Sequence, residues 1–356
     1  MNTKKVLVAM SGGVDSTVCA YLIKNSGYDT EGITMKLWSV GEKVTDCHCP
    51  APDRNCLDAA SACNALAIPH HCVAFGESFR KNVVDSFISE YINGKTPNPC
   101  VECNKHIKFG ALMKLALSNG FDYLATGHYA RIDKQDGEYL LKRAADEKKD
   151  QSYFLWSVKK EYLPYILFPL GNYTKDEIRA VAEEQGFESA HRSDSQDICF
   201  IPNGEYASFI RNQTELTFPE GDFISSDGKI LGRHGGIINY TVGQRKGLGI
   251  ALGKPIFVGA KDADANTVTL CEDCELYSKS LIASSVNILK DNVISQDKVR
   301  ISAKIRYRHT PAPATAKLLD NGKLLVEFDE PQRAITSGQS VVLYDGDIVI
   351  GGGIID

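Results

Sequence analysis

The chain has 356 residues, of which 43% are apolar and 24% charged, with a net charge of −5. That size suits two or three domains with packed cores, and the acidic balance excludes a generally basic nucleic-acid coat, so any RNA contact must come from local patches. No apolar run approaches a bilayer span, and Met1-Asn2-Thr3-Lys4-Lys5 leads into a short apolar stretch and a glycine turn rather than a signal peptide, so a cytoplasmic protein is expected.

The first half alternates strands and helices. Lys5–Met10 is a short apolar run before a glycine turn, as in a buried parallel strand. A helix follows from Asp15 to about Lys24, with Val18, Leu22 and Ile23 apolar and Gly27 as its stop. Strands are expected over Glu31–Leu37, His71–Phe75 and Tyr123–Thr126. Helices are expected over Asn55–Leu66, Phe79–Ile92 and Ile107–Leu117. Such alternation indicates a doubly wound α/β domain, a parallel sheet with helices on both faces. Tyr129–Ile132 and Tyr139–Leu141 flank Asp136-Gly137, a hairpin signal. Thr174-Lys175-Asp176-Glu177 is a capping box opening a helix that ends near Gly186. After about residue 211 glycine becomes frequent and helical periodicity disappears. A second shift near 286 leads into short strands over Val299–Arg308, Ala316–Leu319, Leu324–Phe328, Ser340–Tyr344 and Ile348–Ile350. Strands so spaced suggest a small barrel or sandwich. The expected domains are therefore 1–210, an ATP-handling catalytic domain with a helical extension; 211–285, a central β-rich domain; and 286–356, a small β-barrel.

Chemistry concentrates first at Ser11-Gly12-Gly13-Val14-Asp15-Ser16, between a strand and a helix. Glycines there let backbone N–H groups close around phosphate oxygens, and a helix N-terminus adds a favourable dipole. Glycine pairs also make plain βα turns, but the flanking serines and Asp15 favour a phosphate site. The lysine of the G-x-x-x-x-G-K-[ST] loop is absent, which argues against a motor that cleaves the γ-phosphate. The loop resembles the pyrophosphate loop of ATP pyrophosphatases of the adenine-nucleotide α-hydrolase fold, which cleave ATP between the α and β phosphates. Asp15 is then a candidate Mg²⁺ contact, because this ion favours hard oxygen ligands shared with phosphates.

The 11 cysteines form no obvious disulfide framework. Thr96-Pro97-Asn98-Pro99-Cys100-Val101-Glu102-Cys103-Asn104-Lys105 is a proline-rich loop before a helix. A thiol near a helix N-terminus is pushed toward thiolate, and Lys105 would reinforce that shift. Cys100-x-x-Cys103 suits metal or redox chemistry; the alternative is that these thiols are small buried fillers. Ser195–Phe200 carries Cys199. Cys47, Cys49, Cys56 and Cys63 lack the paired spacing of a zinc site, and Cys271-x-x-Cys274 stands without a second pair. Phe154, Trp156 and Phe168 read as core rather than as platforms for bases. Residues 229–261 and 299–319 contain no Asp or Glu but several Lys and Arg, two stretches that favour phosphate contact.

These landmarks together resemble the tRNA-specific 2-thiouridylases, nearly end to end. The resemblance runs through Ser11–Ser16, Thr96–Lys105, Ala125–Tyr129, Lys149–Phe154, Ser195–Phe200, Tyr240–Gly249 and Ile305–Arg308. It implies ATP-dependent adenylation of the C2 oxygen of a wobble uridine, followed by sulfur transfer. It places ATP at Ala9, Met10, Ser11, Gly12, Gly13, Val14, Asp15, Ser16, Met35 and Gly127. It makes Cys199 the persulfide carrier and Cys103 the second active cysteine, releasing sulfur by forming a disulfide with Cys199. Asn98, Pro99 and Cys100 lie at the target base. His128, Lys149, Asp150, Gln151, Arg306, Tyr307 and Gln339 lie against tRNA. The implied partners are tRNA and a sulfur donor, either a relay protein or a cysteine desulfurase. Many family members carry aspartate at the position of Cys100. This departure opens a second route, in which Cys100, Cys103 and Cys199 hold a [4Fe-4S] cluster that delivers sulfide. Two further readings are an amidating synthetase of the same superfamily and an RNA-binding protein with a degenerate nucleotide site. The β-rich domains and separated cysteines speak against the first, the intact loop against the second.

Overall fold

The computed structural model describes residues 3–38, 53–191, 198–201, 204–250 and 252–356. In chain order the first domain contains β1 (Lys5–Ala9), α1 (Val14–Asn25), β2 (Asp29–Lys36), α2 (Arg54–Ala65) and β3 (His70–Ala74). It continues with α3 (Gly76–Phe79), α4 (Asp85–Ile92), α5 (Pro99–Glu102), α6 (Met113–Ser118) and β4 (Tyr123–Ala125). A hairpin of β5 (Ala130–Gln135) and β6 (Glu138–Arg143), the short β7 (Ile166–Leu167) and α7 (Lys175–Glu184) complete it.

β1, β2, β3, β4 and β7 form a five-stranded parallel sheet in the order β3–β2–β1–β4–β7. Side chains alternate across a strand. Accordingly, Val6 and Val8 enter one hydrophobic core with Val18, Ala125 and Ile178, and Leu7 enters another with Ile33, Val73 and Leu124. Both faces are covered, so the β1 run is apolar throughout rather than alternating. The chain runs outward from β1 through β2 to β3, then returns to place β4 on the other side of β1. That reversal makes a switch point at the carboxyl ends of β1 and β4, where ligands of open α/β sheets bind.

Two segments wind as π-helix: Arg80–Val84, within the expected Phe79–Ile92 helix, and Cys103–Leu112, which begins inside the expected loop and runs into the expected Ile107–Leu117 helix. Gly110 makes the second possible: a Cβ there would lie 2.8 Å from the Lys105 carbonyl oxygen. The Thr174 capping box forms as expected, its hydroxyl accepting from the Glu177 N–H while the Glu177 carboxylate accepts from the Thr174 N–H. The Asp136-Gly137 turn places both residues at positive φ, 50° and 86°, matching the right-handed twist of the hairpin.

α8 (Tyr206–Gln213) leads to β8 (Gly221–Ser225), β9 (Ile230–His234), β10 (Phe257–Asp262) and β11 (Thr267–Cys271), a four-stranded sheet in the order β10–β11–β8–β9. Then come β12 (Tyr277–Ile288), β13 (Val299–Lys304), β14 (Ala312–Leu318), β15 (Leu324–Arg333), β16 (Ser340–Asp345) and β17 (Ile348–Ile355). They form a barrel closed by pairing of β12 with β17. β17 runs past Ile350 through Gly351-Gly352-Gly353, where the sequence pattern fades. The glycines serve close packing, since a Cβ on Gly352 would meet the Val341 carbonyl oxygen and the Trp156 ring. β17 also pairs with β6, Ile348 opposite Lys142, so the hairpin of the first domain extends the barrel sheet.

Candidate active site

Met10 and Ser11 leave β1 at the switch point, and Gly13 caps α1. Gly12 has φ +76°, and a Cβ there would lie 2.8 Å from the Asp58 Cβ and 3.1 Å from the Asn55 carbonyl oxygen. Only glycine suits this position, by conformation and by space. The loop is tied internally: the Ser11 N–H donates to Ser16 Oγ at 3.1 Å, and the Ser16 hydroxyl donates to the Gly13 carbonyl at 3.0 Å. Gly127, just beyond β4, packs against the loop, because a Cβ would come within 2.9 Å of the Asp15 carbonyl carbon. Met35 stands at the end of β2, next to β1. Sequence-distant residues of the expected nucleotide site are thus gathered at the ends of β1, β2 and β4.

Two residues to which the sequence reading gave no role in the nucleotide site also converge on the loop. The Lys175 ammonium lies 2.7 Å from Asp15 Oδ1, and the Tyr129 hydroxyl donates to the same oxygen at 2.8 Å. Lys175 is 5% exposed. In sequence it looks like an ordinary lysine in the first turn of a helix, and nothing in its spacing points to Asp15.

The proline-rich loop ends at α5, whose Asn98 cap accepts from the Cys100 N–H at 3.2 Å. Cys100 and Cys199 are exposed and Cys103 is buried. The expectation of thiols lowered by a helix N-terminus is not met. Surrounding protein pushes all three thiols upward, Cys103 to about 12, because an apolar environment disfavours the thiolate. α5 is a single turn of four residues, too little to offset that burial. The charge opposing it comes from Lys108, which acts on all three thiols, and not from Lys105, which is exposed. π winding favours contact between residues five apart, which aligns Lys108 with Cys103. An α-helical period would not.

Lys108 also meets His128. Its Nζ lies 3.2 Å from His128 Nε2, and Thr126 Oγ1 lies 2.6 Å from His128 Nδ1. An ammonium only donates. His128 Nε2 is therefore the acceptor, and the ring is neutral with its proton on Nδ1, directed at Thr126. Burial and the Lys108 charge hold the His128 pKa well below the ordinary value. Phe109 and Phe168 pack on the ring at 5.8 and 5.9 Å. The four residues Thr126–Tyr129 therefore face two ways: Gly127 and Tyr129 toward the phosphate loop, His128 toward Lys108, whose charge acts on the thiols.

The expected RNA-facing residues divide. Gln339 donates to the Thr96 carbonyl at 2.7 Å, pinning the proline-rich loop to the barrel. Gln151 accepts from the Tyr129 N–H at 3.0 Å. Lys149 is part-exposed beside it. Arg306 donates to the Arg333 carbonyl at 3.0 Å, and the Tyr307 ring packs 4.5 Å from Phe154. The Asp150 carboxylate faces inward: the residue is 2% exposed and accepts from the Ala144 and Ser152 N–H groups and the Ser152 hydroxyl. It shapes this turn, with its carboxylate turned away from the surface. The two acid-free stretches are not acid-free in space. Arg233 pairs with Asp222 at 3.0 Å, Lys254 with Glu272, and Arg300 with Asp329 at 2.6 Å, while Lys261 is held against Tyr91. Their partners lie on neighbouring strands or turns, which a linear count of charge misses.

Among the described residues, no group of three or more His, Cys, Asp or Glu side chains is arranged to hold a metal ion. Cys56 and Cys63 are buried, Cys63 against Gly32, whose Cβ would fall 2.5 Å from the sulfur. Cys47, Cys49 and residues 195–197 lie outside the described residues. Cys271 is buried and Cys274 exposed.

A family model described as tRNA methyl transferase HUP domain matches residues 4–203. The tRNA methyl transferase PRC-barrel domain matches 208–272, and the Aminomethyltransferase beta-barrel domain matches 278–355. The tRNA-specific 2-thiouridylase MnmA of Clostridioides difficile is 47% identical over 99% of this chain and 98% of its own length. The protein of that name from Acetivibrio thermocellus is 47% identical over the full length of both. The chain belongs to the tRNA-specific 2-thiouridylase family. The parallel-sheet domain, the PRC-barrel domain and the closing barrel of this thiouridylase-family chain follow the order of the three matched models.

Proposed function

We propose that the protein is an ATP-dependent tRNA-uridine 2-sulfurtransferase acting on the wobble uridine. The observation that supports this reading is the double-faced segment Thr126–Tyr129: Gly127 and Tyr129 meet the glycine phosphate loop, and His128 meets Lys108, whose charge acts on Cys100, Cys103 and Cys199. An amidating synthetase has no use for the second half of that arrangement.

The loop suits a nucleotide, since glycine at 12 and 127 lets α2 and the segment after β4 pack against it more closely than any side chain would allow. Ser11, Gly13 and the N-terminus of α1 offer donors to the phosphates, with Asp15 as the carboxylate that would hold Mg²⁺. When bound, magnesium offsets phosphate charge during adenylation. The uridine O2 attacks the α-phosphorus, and pyrophosphate leaves. Asn98, Pro99 and Cys100 border the base, and Lys149, Gln151, Arg306, Tyr307 and Gln339 the surrounding RNA. A sulfur donor, a relay protein or a cysteine desulfurase, loads the exposed Cys199 as a persulfide. The terminal sulfur attacks C2 and AMP departs. The Cys103 thiol then gives up its proton and attacks Cys199 Sγ. The bond from Cys199 Sγ to the transferred sulfur breaks, the sulfur stays on C2, and a Cys103–Cys199 disulfide forms. An external thiol must reduce that disulfide before another turnover. Lys108 is placed to favour the thiolates this sequence needs.

The alternative, a [4Fe-4S] cluster on Cys100, Cys103 and Cys199, gains no support from the arrangement of the described residues. One experiment separates the routes. Wild type and Cys100→Asp are purified anaerobically, assayed for iron and labile sulfide, and incubated with unmodified tRNA, ATP and a persulfide donor. Mass spectrometry of the nucleosides should show 2-thiouridine from both proteins, without iron. Stoichiometric iron in wild type, lost together with activity in the variant, would establish the cluster. Absence of 2-thiouridine with either preparation would defeat the proposed function itself.

A further inference from the structure

The phosphate loop from Met10 to Val18 contains no Lys or Arg, yet its ligand carries several negative charges. Preorganised cations are the usual means of stabilising phosphoryl transfer. A cation is supplied from far along the chain. Lys175 stands at the first position of the ten-residue helix α7, which is fixed by its capping box. The Lys175 N–H donates to Asp146 Oδ2 at 3.2 Å. Its side chain is buried with Nζ 2.7 Å from Asp15 Oδ1. A buried ammonium is costly unless paired. Here the pair stands within the loop itself, beside the N-terminus of α1 and the close approach of Gly127.

We propose that Lys175 is a phosphate-binding residue of this enzyme: it waits on Asp15 and donates to ATP's phosphates when nucleotide arrives. Asp15, released by Lys175, would then be the carboxylate that holds Mg²⁺, so the carboxylate and the ammonium would each exchange one partner and no buried charge would be left alone. As the O2–P bond forms and the α,β bridging P–O bond breaks, charge accumulates on the departing pyrophosphate, where an ammonium stabilises it. This inference rests on the ATP-binding part of the proposed function. Tyr129 supplies an internal comparison, because its hydroxyl holds the same Asp15 oxygen without carrying charge.

The test uses the full chain as wild type, Lys175→Met, Lys175→Arg and Tyr129→Phe. Calorimetric binding of α,β-methylene-ATP with Mg²⁺ reads the phosphate site without tRNA. tRNA-dependent ATP–pyrophosphate exchange reads adenylation. Lys175→Met should weaken analogue binding and lower exchange kcat/KM for ATP by roughly 10- to 100-fold, the effect of one charge-assisted hydrogen bond, with unchanged tRNA affinity. Lys175→Arg should fall between it and wild type, and Tyr129→Phe should stay within about threefold of wild type. Analogue binding by Lys175→Met equal to wild type, or a loss in Tyr129→Phe as large as in Lys175→Met, would overturn the proposal, because the clasp would then be merely structural. Should Lys175→Met prove too unstable to purify, Lys175→Arg decides alone: weakened binding with unchanged melting supports the proposal, and undiminished affinity refutes it. Wild type that binds the analogue but shows no tRNA-dependent exchange would fault the tRNA reading and leave Lys175 to be judged on binding.

Discussion

The two halves of the site are built in opposite ways. The phosphate loop is continuous in sequence, tied by its own serines, and shaped by Gly12, whose positive φ and close neighbours leave no room for a side chain. The thiol group is assembled from α5, a π-helical segment and the stretch around Cys199, and each of its thiols is held away from the thiolate by its surroundings. One half is ready before its substrate arrives. The other stays quiet until chemistry or a partner draws it out. An enzyme that carries reactive sulfur benefits from that contrast, because a protonated thiol resists stray oxidation and alkylation.

The sharpest way to divide the halves is Cys103→Ser. Multiple-turnover thiolation should fall to background, while tRNA-dependent pyrophosphate exchange stays within about threefold of wild type, less than 1 kcal/mol in the barrier. A parallel loss of exchange would show that the halves are not separable. Gly127→Ala cuts the other way. Its Cβ must displace the Asp15 backbone, so kcat/KM for ATP should drop about 100-fold, as expected of a misplacement near 1 Å, with a stability cost of ~1–3 kcal/mol. Iodoacetamide labelling of Cys100 in that variant should match wild type, as shown by peptide mapping.

Lys108→Met probes the sulfur side alone. All three thiols already sit above their usual pKa and react through the small thiolate fraction that grows as pH rises. Removing the Lys108 charge moves them further up, so alkylation at pH 8 should slow by roughly threefold to tenfold, up to one pKa unit. Faster alkylation would reverse the assigned sign. The smallest effect belongs to RNA. Arg306→Ala should reduce the slope of log K against log salt by about one, whereas Arg300→Ala should leave it unchanged, since Asp329 already holds that guanidinium.

Local chemistry was legible in the sequence. Glycine loop, capping box, Asp-Gly turn and apolar β1 each follow from residues next to one another. What escaped depends on contacts across the fold or on an unexpected helical period. Lys175 reaches Asp15 only once α7 docks, and Lys108 reaches Cys103 through π winding. Asp222, Glu272 and Asp329 neutralise cations that looked unopposed because they come from outside the counted stretches. Resemblance alone places Asp150 against tRNA, because nothing in its spacing shows the backbone curling around its carboxylate. The end of β17 was obscured because glycine carries no strand pattern, although close packing demands it.

The pairing of β6 with β17 bears on how the chain is made. Lys142 is synthesised long before its partner Ile348, so the hairpin edge of the first domain stays open throughout translation. Open strand edges invite association with other chains, and pairings so distant in sequence form slowly. A nascent or truncated chain lacking its last strand should therefore be the aggregation-prone species. β17 acts as the seal that joins the hairpin of the first domain to the barrel.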